Sequence, residues 1–213
     1  MSFERDFVRD HTAVVSPPLV PEIRLHLATE VTPLWQATEA TLQQTQLPPP
    51  YWAFAWAGGQ ALARHLLDHP VLVSGRRVLD FGAGSGVVAI AAAKAGARVT
   101  AAEPDRFALA ALALNAALNK VDIVVENGDV LATDGGWDTV LAGDMCYERP
   151  LAERLIPWLA ARARGGALVL LGDPGRAYLP TGGLHALARY WVPTPLDLED
   201  REARETTIWQ LTG

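Results

Sequence analysis

The sequence predicts an α/β protein in which a mostly parallel sheet carries helices on both faces, an arrangement called doubly wound. Two observations support this prediction. From residue 77 onward, short apolar runs of strand length alternate with longer runs of helical composition. The first apolar run ends in a glycine-rich turn that opens an alanine-rich stretch, as expected for a buried parallel strand followed by a helix.

The residues before this alternation predict an extension of different character. They favour an amphipathic helix over 3–12, a half-buried strand over 23–28 and a mostly polar helix over 34–44. A run of three prolines then makes a stiff junction. We therefore expect an N-terminal extension at 1–50 that packs on the core, and the main domain at 51–213.

The main domain contains a regular series of strands and helices, followed by a change of rhythm. Strands are expected over 77–81, 97–102, 122–126, 137–142 and 167–171, with helices over 87–95, 104–119 and 151–163. After Pro180 the pattern predicts a short helix over 184–189 and two more strands, over 190–198 and 205–211. Ligands of such sheets bind at the carboxyl ends of the strands.

Composition excludes several classes of protein. The net charge of −6 opposes binding to nucleic acid, and no apolar run is long enough to span a membrane. The single cysteine, Cys146, excludes an internal disulfide and is typical of a reducing compartment. The first residues carry charges of both signs and do not resemble a targeting peptide, and no cluster has metal-ligand spacing. We expect a cytoplasmic monomer without a metal ion.

The turn after the first strand contains three alternating glycines, Gly82, Gly84 and Gly86, preceded by Asp80 at the strand end. Glycine allows a positive φ and removes the Cβ, so a ligand can lie directly against this backbone. A dinucleotide fingerprint would place its third glycine at Val87. The observed spacing instead looks like the first motif of the S-adenosylmethionine (SAM) methyltransferases of the seven-strand class. A tight turn without a ligand is the alternative interpretation.

Carboxylates follow the next two strands. Glu103 is placed to accept hydrogen bonds from a ribose diol, a device that nicotinamide enzymes share, or else to cap the following helix. Asp129 falls where SAM enzymes place a side chain near the adenine amino group, or is a turn aspartate. The turn at 82–86 would take the methionine end of SAM, and Asp80 would reach its amino group through water or hold the loop.

The aromatic stretch at 51–60 has two interpretations. It contains Tyr51, Trp52 and Trp56, and Gly58 and a second glycine follow before a predicted helix over 60–67. The stretch is either a hydrophobic latch for the extension or a wall of the ligand pocket, in which Gly58 permits a ligand to approach closely. In the second interpretation Trp56 and Gly58 belong to the cofactor site.

The fourth strand of the series ends in Asp144-Met145-Cys146-Tyr147, at the position that faces the methyl group in SAM methyltransferases. This Asp-x-x-Tyr motif resembles the protein-lysine methyltransferases of the seven-strand class. Two further stretches, 50–60 and 172–180, make the chain similar to the electron transfer flavoprotein beta-subunit lysine methyltransferases in a bacterial-type form without a mitochondrial presequence. The resemblance extends from about Val14 to the C-terminus, and alanine stands at position 57, where the family pattern suggests proline.

This resemblance implies a Rossmann-like fold with seven strands, the last of them antiparallel. It also implies transfer of a methyl group from SAM, leaving S-adenosylhomocysteine (SAH), to lysines of the flavoprotein beta subunit. Asp144 would bind and orient the lysine ammonium, and Tyr147 would line the lysine channel. The alternatives are a strand-end cap and a core aromatic. Cys146 is interpreted as packing, and Arg176 as either a contact for an acidic substrate segment or a solvated side chain.

Other functions remain open at this stage. The acceptor can instead be a ribosomal protein or a small amine such as a nicotinamide-like ring. The chain can also be an interaction module that has lost catalysis, although the intact Gly82–Gly86 turn, Glu103 and Asp144 argue against that. A nicotinamide-dependent dehydrogenase would bind NAD and not SAM.

Overall fold

The structure of the protein, a computed structural model, describes residues 2–29, 49–133, 135–194 and 201–213. The helix expected over 34–44 lies outside the described residues, as does the end of the strand expected over 190–198. None of the helices in the described ranges is both long and apolar enough to cross a membrane.

The described residues contain a seven-stranded sheet and a small two-stranded sheet. In chain order the strands are β1 (Ala13–Val15), β2 (Leu25–Leu27), β3 (Arg77–Phe81), β4 (Arg98–Ala102), β5 (Val124–Glu126), β6 (Thr139–Gly143), β7 (Leu168–Asp173), β8 (Leu184–Pro193) and β9 (Ala203–Leu211). The order in the large sheet is β5-β4-β3-β6-β7-β9-β8, with β9 antiparallel to both of its neighbours. The predicted seven-strand arrangement is confirmed.

Helices cover both faces of the sheet. Successive side chains of a strand point to opposite faces, so apolar side chains on each face pack against a helix. The helices are α1 (Phe3–His11), α2 (Ala57–Asp68), α3 (Val87–Lys94), α4 (Arg106–Asn119) and α5 (Arg149–Arg164). On β3, Val78 packs in one apolar cluster with Leu62 of α2 and Ile90 of α3. Its neighbour Leu79 packs in another cluster with Leu155 of α5. The doubly wound prediction is therefore confirmed.

The short helix expected over 184–189 is wrong, since these residues form the first half of β8. The segment is rich in Leu and Ala, which favour helices when only local propensity is considered. In the fold it pairs antiparallel with β9, from Leu184 opposite Leu211 to Pro193 opposite Ala203, with one irregularity near Ala186. The backbone hydrogen bonds of this long ladder outweigh the modest helix propensity of its residues.

The described part of the extension packs on α4. Helix α1 places Phe7 against Phe107, with 5.0 Å between ring centroids. Asn115 Oδ1 accepts a hydrogen bond of 2.7 Å from the backbone N–H of His26, which lies in β2. The predicted strand outside the parallel repeat is therefore present and tied to the domain. The division of the chain at residue 50 stays a prediction.

Helix α2 begins at Ala57, three residues earlier than predicted, and its first turn lies against the carboxyl ends of β6 and β7. A Cβ on Gly58 would overlap the Gly172 carbonyl oxygen and lie 2.5 Å from Asp144 Oδ2. A Cβ on Gly143 would lie 2.9 Å from Gly59 Cα. The glycines at this contact therefore permit a helix to approach two strands closely.

Gly58→Ala should destabilise the protein by about 2 kcal/mol, because the added methyl group overfills this contact. Helix propensity alone predicts the opposite sign, a gain of up to about 1 kcal/mol. The measurement is the free energy of unfolding in urea. Gly182→Ala is the control, since nothing lies within 4 Å of its Cβ position, and it should change stability by less than about 0.5 kcal/mol. A stabilised Gly58→Ala protein would contradict this account.

Candidate active site

A cavity of about 680 Å³ opens at the carboxyl ends of β3, β4, β5 and β6, which is a volume typical of ligand pockets. It brings together most of the residues that the sequence predicted for a cofactor and a substrate. Those that line it are Trp56, Gly82, Gly84, Glu103, Asp129, Asp144 and Tyr147. Three predicted cofactor residues, Gly58, Asp80 and Gly86, are not among the residues that line it.

The glycine turn serves both the cavity and the packing beneath it. Gly82, Gly84 and Gly86 have φ values of 68°, 50° and 82°, in the left-handed region that favours glycine. Gly82 and Gly84 present backbone to the cavity, and a Cβ on Gly82 would overlap the Met145 side chain. Gly86 is the N-cap of α3, and a Cβ there would overlap Leu112. The geometry thus gives Gly86 a packing role within the protein.

Glu103 fixes the glycine turn to the end of β4. Its Oε2 accepts a hydrogen bond of 2.9 Å from Gly84 N–H, and its Oε1 accepts one of 3.0 Å from Asp105 N–H. Burial raises the pKa of this carboxyl, and the two N–H donors partly offset that effect. Asp105 is the N-cap of α4, so the capping interpretation applies to Asp105, and Glu103 faces the cavity.

Asp80 is fully buried beneath the turn and is directed at the start of α3. Its Oδ2 accepts a hydrogen bond of 2.9 Å from Ala89 N–H, one of the donors that a helix N-terminus leaves unpaired. Burial raises the pKa of the Asp80 carboxyl to about 7, and the nearby Glu103 adds to this increase. Of the two roles expected for Asp80, this geometry supports holding the loop. Its contact with a ligand amino group through water stays a prediction.

Asp129 lies at the exposed rim of the cavity, after β5. It caps a short turn by accepting a hydrogen bond from Leu131 N–H, and it forms an ion pair with Arg154 of α5. Sequence analysis did not anticipate Arg154, because nothing in the order of the chain places α5 beside the β5 loop. The ion pair leaves Asp129 in the cavity lining, where its contact with a ligand stays a prediction.

The aromatic stretch is a wall of the cavity and also a latch. Tyr51, Trp52 and Trp56 line the cavity, and Trp56 Nε1–H donates to the Tyr51 carbonyl at 2.9 Å. The Tyr51 ring packs edge-on against both Trp56 and Tyr147, with centroid distances of 5.8 and 5.6 Å. Trp52 also clusters with Val8 of the extension. The stretch thus contacts both the cavity and the extension, while a cofactor contact by Trp56 stays a prediction and Gly58 is not in the cavity lining.

Asp144 forms a buried ion pair that the sequence did not predict. Its Oδ1 accepts hydrogen bonds from Arg176 Nε at 3.0 Å and Nη2 at 2.7 Å, and its Oδ2 accepts one of 2.9 Å from Gly59 N–H. Burial raises the pKa of Asp144 to about 6, and the Arg176 guanidinium opposes that shift. The interpretation of Arg176 as a solvated loop residue is wrong. The one feature of the sequence that could have indicated this ion pair was the position of Arg176 in the glycine-rich loop after β7.

Cys146, two residues after Asp144 in the chain, is buried. Burial and the neighbouring carboxylates of Asp173 and Asp144 raise the pKa of its thiol to about 12. A thiol of this kind is inert as a nucleophile at neutral pH, which supports its interpretation as packing. Within the described residues, no group of His, Cys, Asp and Glu is arranged to hold a metal ion.

Comparisons with known proteins agree with this geometry. The family model of ribosomal protein L11 methyltransferase matches residues 61–146. The chain is 41% identical, over 217 residues, to the electron transfer flavoprotein beta subunit lysine methyltransferase of Xenopus laevis, covering 96% of this chain and 85% of that protein. It is 46% identical, over 103 residues, to the ribosomal protein L11 methyltransferase of Thiobacillus denitrificans, covering 47% of this chain and 33% of that protein.

A solved structure shares the fold. The magnesium protoporphyrin IX methyltransferase of Synechocystis PCC 6803, with bound SAH, superimposes with a TM-score of 0.54 at 18% identity. The superposition covers 72% of this chain and 81% of that chain. The sheet and flanking helices described above therefore have the same Rossmann-like fold as that structure.

Glu103→Gln should weaken SAM binding at least tenfold, on the order expected for losing a charged acceptor. The amide would retain one acceptor oxygen and would direct an N–H group at one of the two backbone N–H donors. Isothermal titration with SAM measures the change. Asp138→Asn is the control, because Asp138 is also a carboxylate that accepts from a backbone N–H, that of Arg77, and neither residue lines the cavity. Equal losses in both variants would contradict a specific role for Glu103.

Asp80→Asn should alter how stability depends on pH. Because the folded pKa of Asp80 is raised to about 7, its contribution to stability is complete in acid and is lost as the pH rises through that value. The variant lacks this loss, so its free energy of unfolding should increase relative to wild type between about pH 4 and about pH 7, the interval between the ordinary and the raised pKa.

Urea unfolding over this pH series measures the difference. Asp138→Asn is the control, because the exposed Asp138 has its pKa lowered by hydrogen bonds from Arg77. Any contribution of Asp138 is lost only in more acidic solution, below this window. Parallel stability curves for wild type and Asp80→Asn would contradict the raised pKa.

Proposed function

The chain belongs to the family of electron transfer flavoprotein beta subunit lysine methyltransferases, and from this membership we propose that it methylates lysine side chains of that flavoprotein subunit. The enzyme uses SAM as its methyl donor. The observation that carries the proposal is that the glycine turn expected to bind the cofactor and the Asp144–Tyr147 motif line the same cavity. We further propose that it acts as a monomer in the cytoplasm.

The residues present fit SAM. Gly82 and Gly84 offer backbone without side chains, and Glu103 offers carboxylate oxygens to a ribose diol from the end of the adjacent strand. Asp129 is proposed to contact the adenine end, while Trp56 closes the opposite side of the cavity. When bound, SAM would supply a methyl group attached to its sulfonium sulfur, and this methyl group is transferred to the lone pair of an amine as the carbon–sulfur bond breaks.

The protein has to deliver a neutral amine. A free lysine has a pKa of about 10.4, so losing its proton at neutral pH costs roughly 4–5 kcal/mol. Asp144 is proposed to accept a hydrogen bond from the amine, since Oδ2 has one described donor, Gly59 N–H. The Tyr147 ring, 41% exposed at the cavity mouth, would line the channel through which the lysine enters. Such positioning supplies much of the rate in a displacement reaction.

The L11 methyltransferases are the second candidate for substrate class, and the extent of the match argues against them. Their family model ends at residue 146, so it covers the glycine turn and Glu103 but neither Tyr147 nor the loop of Arg176. The flavoprotein subunit methyltransferases match along nearly the whole chain. The proposed cofactor residues of the glycine turn and Glu103, and also Asp144, fall within both matches, whereas Tyr147 and Arg176 fall within the second match alone.

The experiment that tests the proposal is transfer of radiolabelled methyl from SAM to purified electron transfer flavoprotein beta subunit. Ribosomal protein L11 and nicotinamide are offered in parallel, and NAD is titrated as a competing ligand. Label is expected in lysines of the flavoprotein subunit, located by mass spectrometry. Label only in L11 or in nicotinamide would overturn the proposed substrate. Tight NAD binding without SAM binding would overturn the methyltransferase function.

Asp144→Asn should lower kcat for lysine methylation by about 100-fold and leave the Kd for SAM within a few-fold. The amide retains the shape of the carboxylate but loses the charge that orients the amine. Single-turnover transfer and isothermal titration measure the two effects separately. Asp68→Asn, at the far end of α2, is the control and should transfer methyl at the wild-type rate. Wild-type turnover by Asp144→Asn would remove Asp144 from the mechanism.

A further inference from the structure

The guanidinium of Arg176 is fixed in place at the deep end of the cavity. Two of its N–H groups donate hydrogen bonds to one oxygen of Asp144, and the exposed side-chain fractions of the pair are 18% and 10%. It also lies over the Trp56 ring, 5.5 Å from the centroid. An aromatic face and a buried carboxylate thus hold this cation from two sides.

The loop that carries Arg176 is itself constrained. Asp173, the last residue of β7, accepts hydrogen bonds of 2.7 Å through Oδ1 from the N–H groups of both Gly175 and Arg176. The backbone of Arg176 is therefore tied to the end of the strand beside β6, which ends next to Asp144. These contacts orient the side chain toward the carboxylate and do not depend on a substrate.

In the proposed reaction Asp144 has to be ionised and correctly oriented, but its buried surroundings disfavour the ionised form. It is buried, and among the described residues the titratable groups that act on it besides Arg176 are the nearby Asp173 carboxylate and the Cys146 thiol. Burial and Asp173 raise the pKa of Asp144, while Arg176 and Gly59 N–H lower it. Without the guanidinium, this carboxyl would be protonated over much of the neutral range.

A lone carboxylate would also hinder the proposed reaction. A negative charge beside a lysine stabilises the ammonium and raises its pKa, yet only the neutral amine can accept a methyl group. An ion pair avoids this difficulty, because the positive charge of Arg176 offsets that of Asp144. The Oδ2 oxygen remains a hydrogen-bond acceptor that faces away from the two arginine contacts, which are both on Oδ1.

We propose that Arg176 is a positioning residue that keeps Asp144 an oriented carboxylate and cancels its charge, so that Asp144 aligns the substrate amine without holding it as an ammonium. The proposal rests on the role of Asp144 in lysine methylation given above. Arg176 itself need not touch the transferred methyl group. Its effect is on the pH range in which the enzyme works.

The first test measures Asp144 directly and needs no catalysis. The carboxyl carbon of Asp144 is followed by NMR in protein labelled with ¹³C-aspartate, and Asp144→Asn assigns its signal. In Arg176→Ala the titration midpoint should be at least about one pH unit higher than in wild type, as expected for removing an opposite charge. An unchanged or lower midpoint would overturn the proposal.

The second test is the pH profile of kcat/KM with the flavoprotein beta subunit, from about pH 6 to about pH 10. Arg176→Ala should lose at least about tenfold at neutral pH and recover part of the loss in alkali. Arg176→Lys retains the positive charge but cannot reproduce both guanidinium hydrogen bonds to Asp144. Its pH profile should therefore have the same midpoint as that of wild type, with a lower kcat. It also serves if the alanine variant fails to fold.

Arg149→Ala is the matched control, because Arg149 lies over the Tyr178 ring beside the same loop without a described contact to Asp144. Its profile should coincide with that of wild type. An equal loss at every pH in Arg176→Ala would indicate a purely structural role and overturn the proposal. A gain at neutral pH would overturn it too, since Arg176 would then compete with the substrate. Failure of the proposed function would appear instead in wild type, as absence of label in the flavoprotein subunit.

Discussion

The close contact between the first turn of α2 and the carboxyl ends of β6 and β7 is the constraint on which the site depends. Glycine at positions 58, 143 and 172 lets a helix approach two strands this closely. The contact brings Gly59 N–H, at a helix N-terminus where negative charge is favoured, to the Asp144 carboxylate. It also places Trp56, which immediately precedes the helix, over Arg176. One packing contact thereby positions the acid, its donor and the aromatic wall.

The cavity contains two buried carboxyl groups, and different groups stabilise their charged forms. Both Glu103 and Asp144 are buried carboxyls whose pKa values burial raises. Glu103 is compensated by two backbone N–H groups alone, which suits an acceptor for neutral hydroxyls. Asp144 has one N–H donor and a guanidinium. A full positive charge is the stronger compensation, and it is found at the end where the neutral amine of the substrate is proposed to react.

Several site residues were predictable because parallel strands end at one edge of a sheet. Gly84, Glu103 and Asp144 follow three different strands, and their positions after predicted strand ends were enough to place them in one cavity. The sequence could not separate glycines that face a ligand from those that face other backbone. Gly58 and Gly86 were assigned to the cofactor by the same rule, and the structure shows that both allow close packing within the protein. Distinguishing them requires knowing what lies opposite each one.

By itself the sequence determined the order of strands and helices from residue 77 to residue 173, the glycine turn and, through the resemblance of its motifs, the methyltransferase family. These follow from local periodicity and short motifs, which depend on neighbours along the chain. The tertiary structure decided what depends on distant pairing. It made 184–189 a strand through its ladder with β9, and it joined Asp144 to Arg176 across 32 positions of sequence. Both are contacts between segments whose meeting no local pattern encodes.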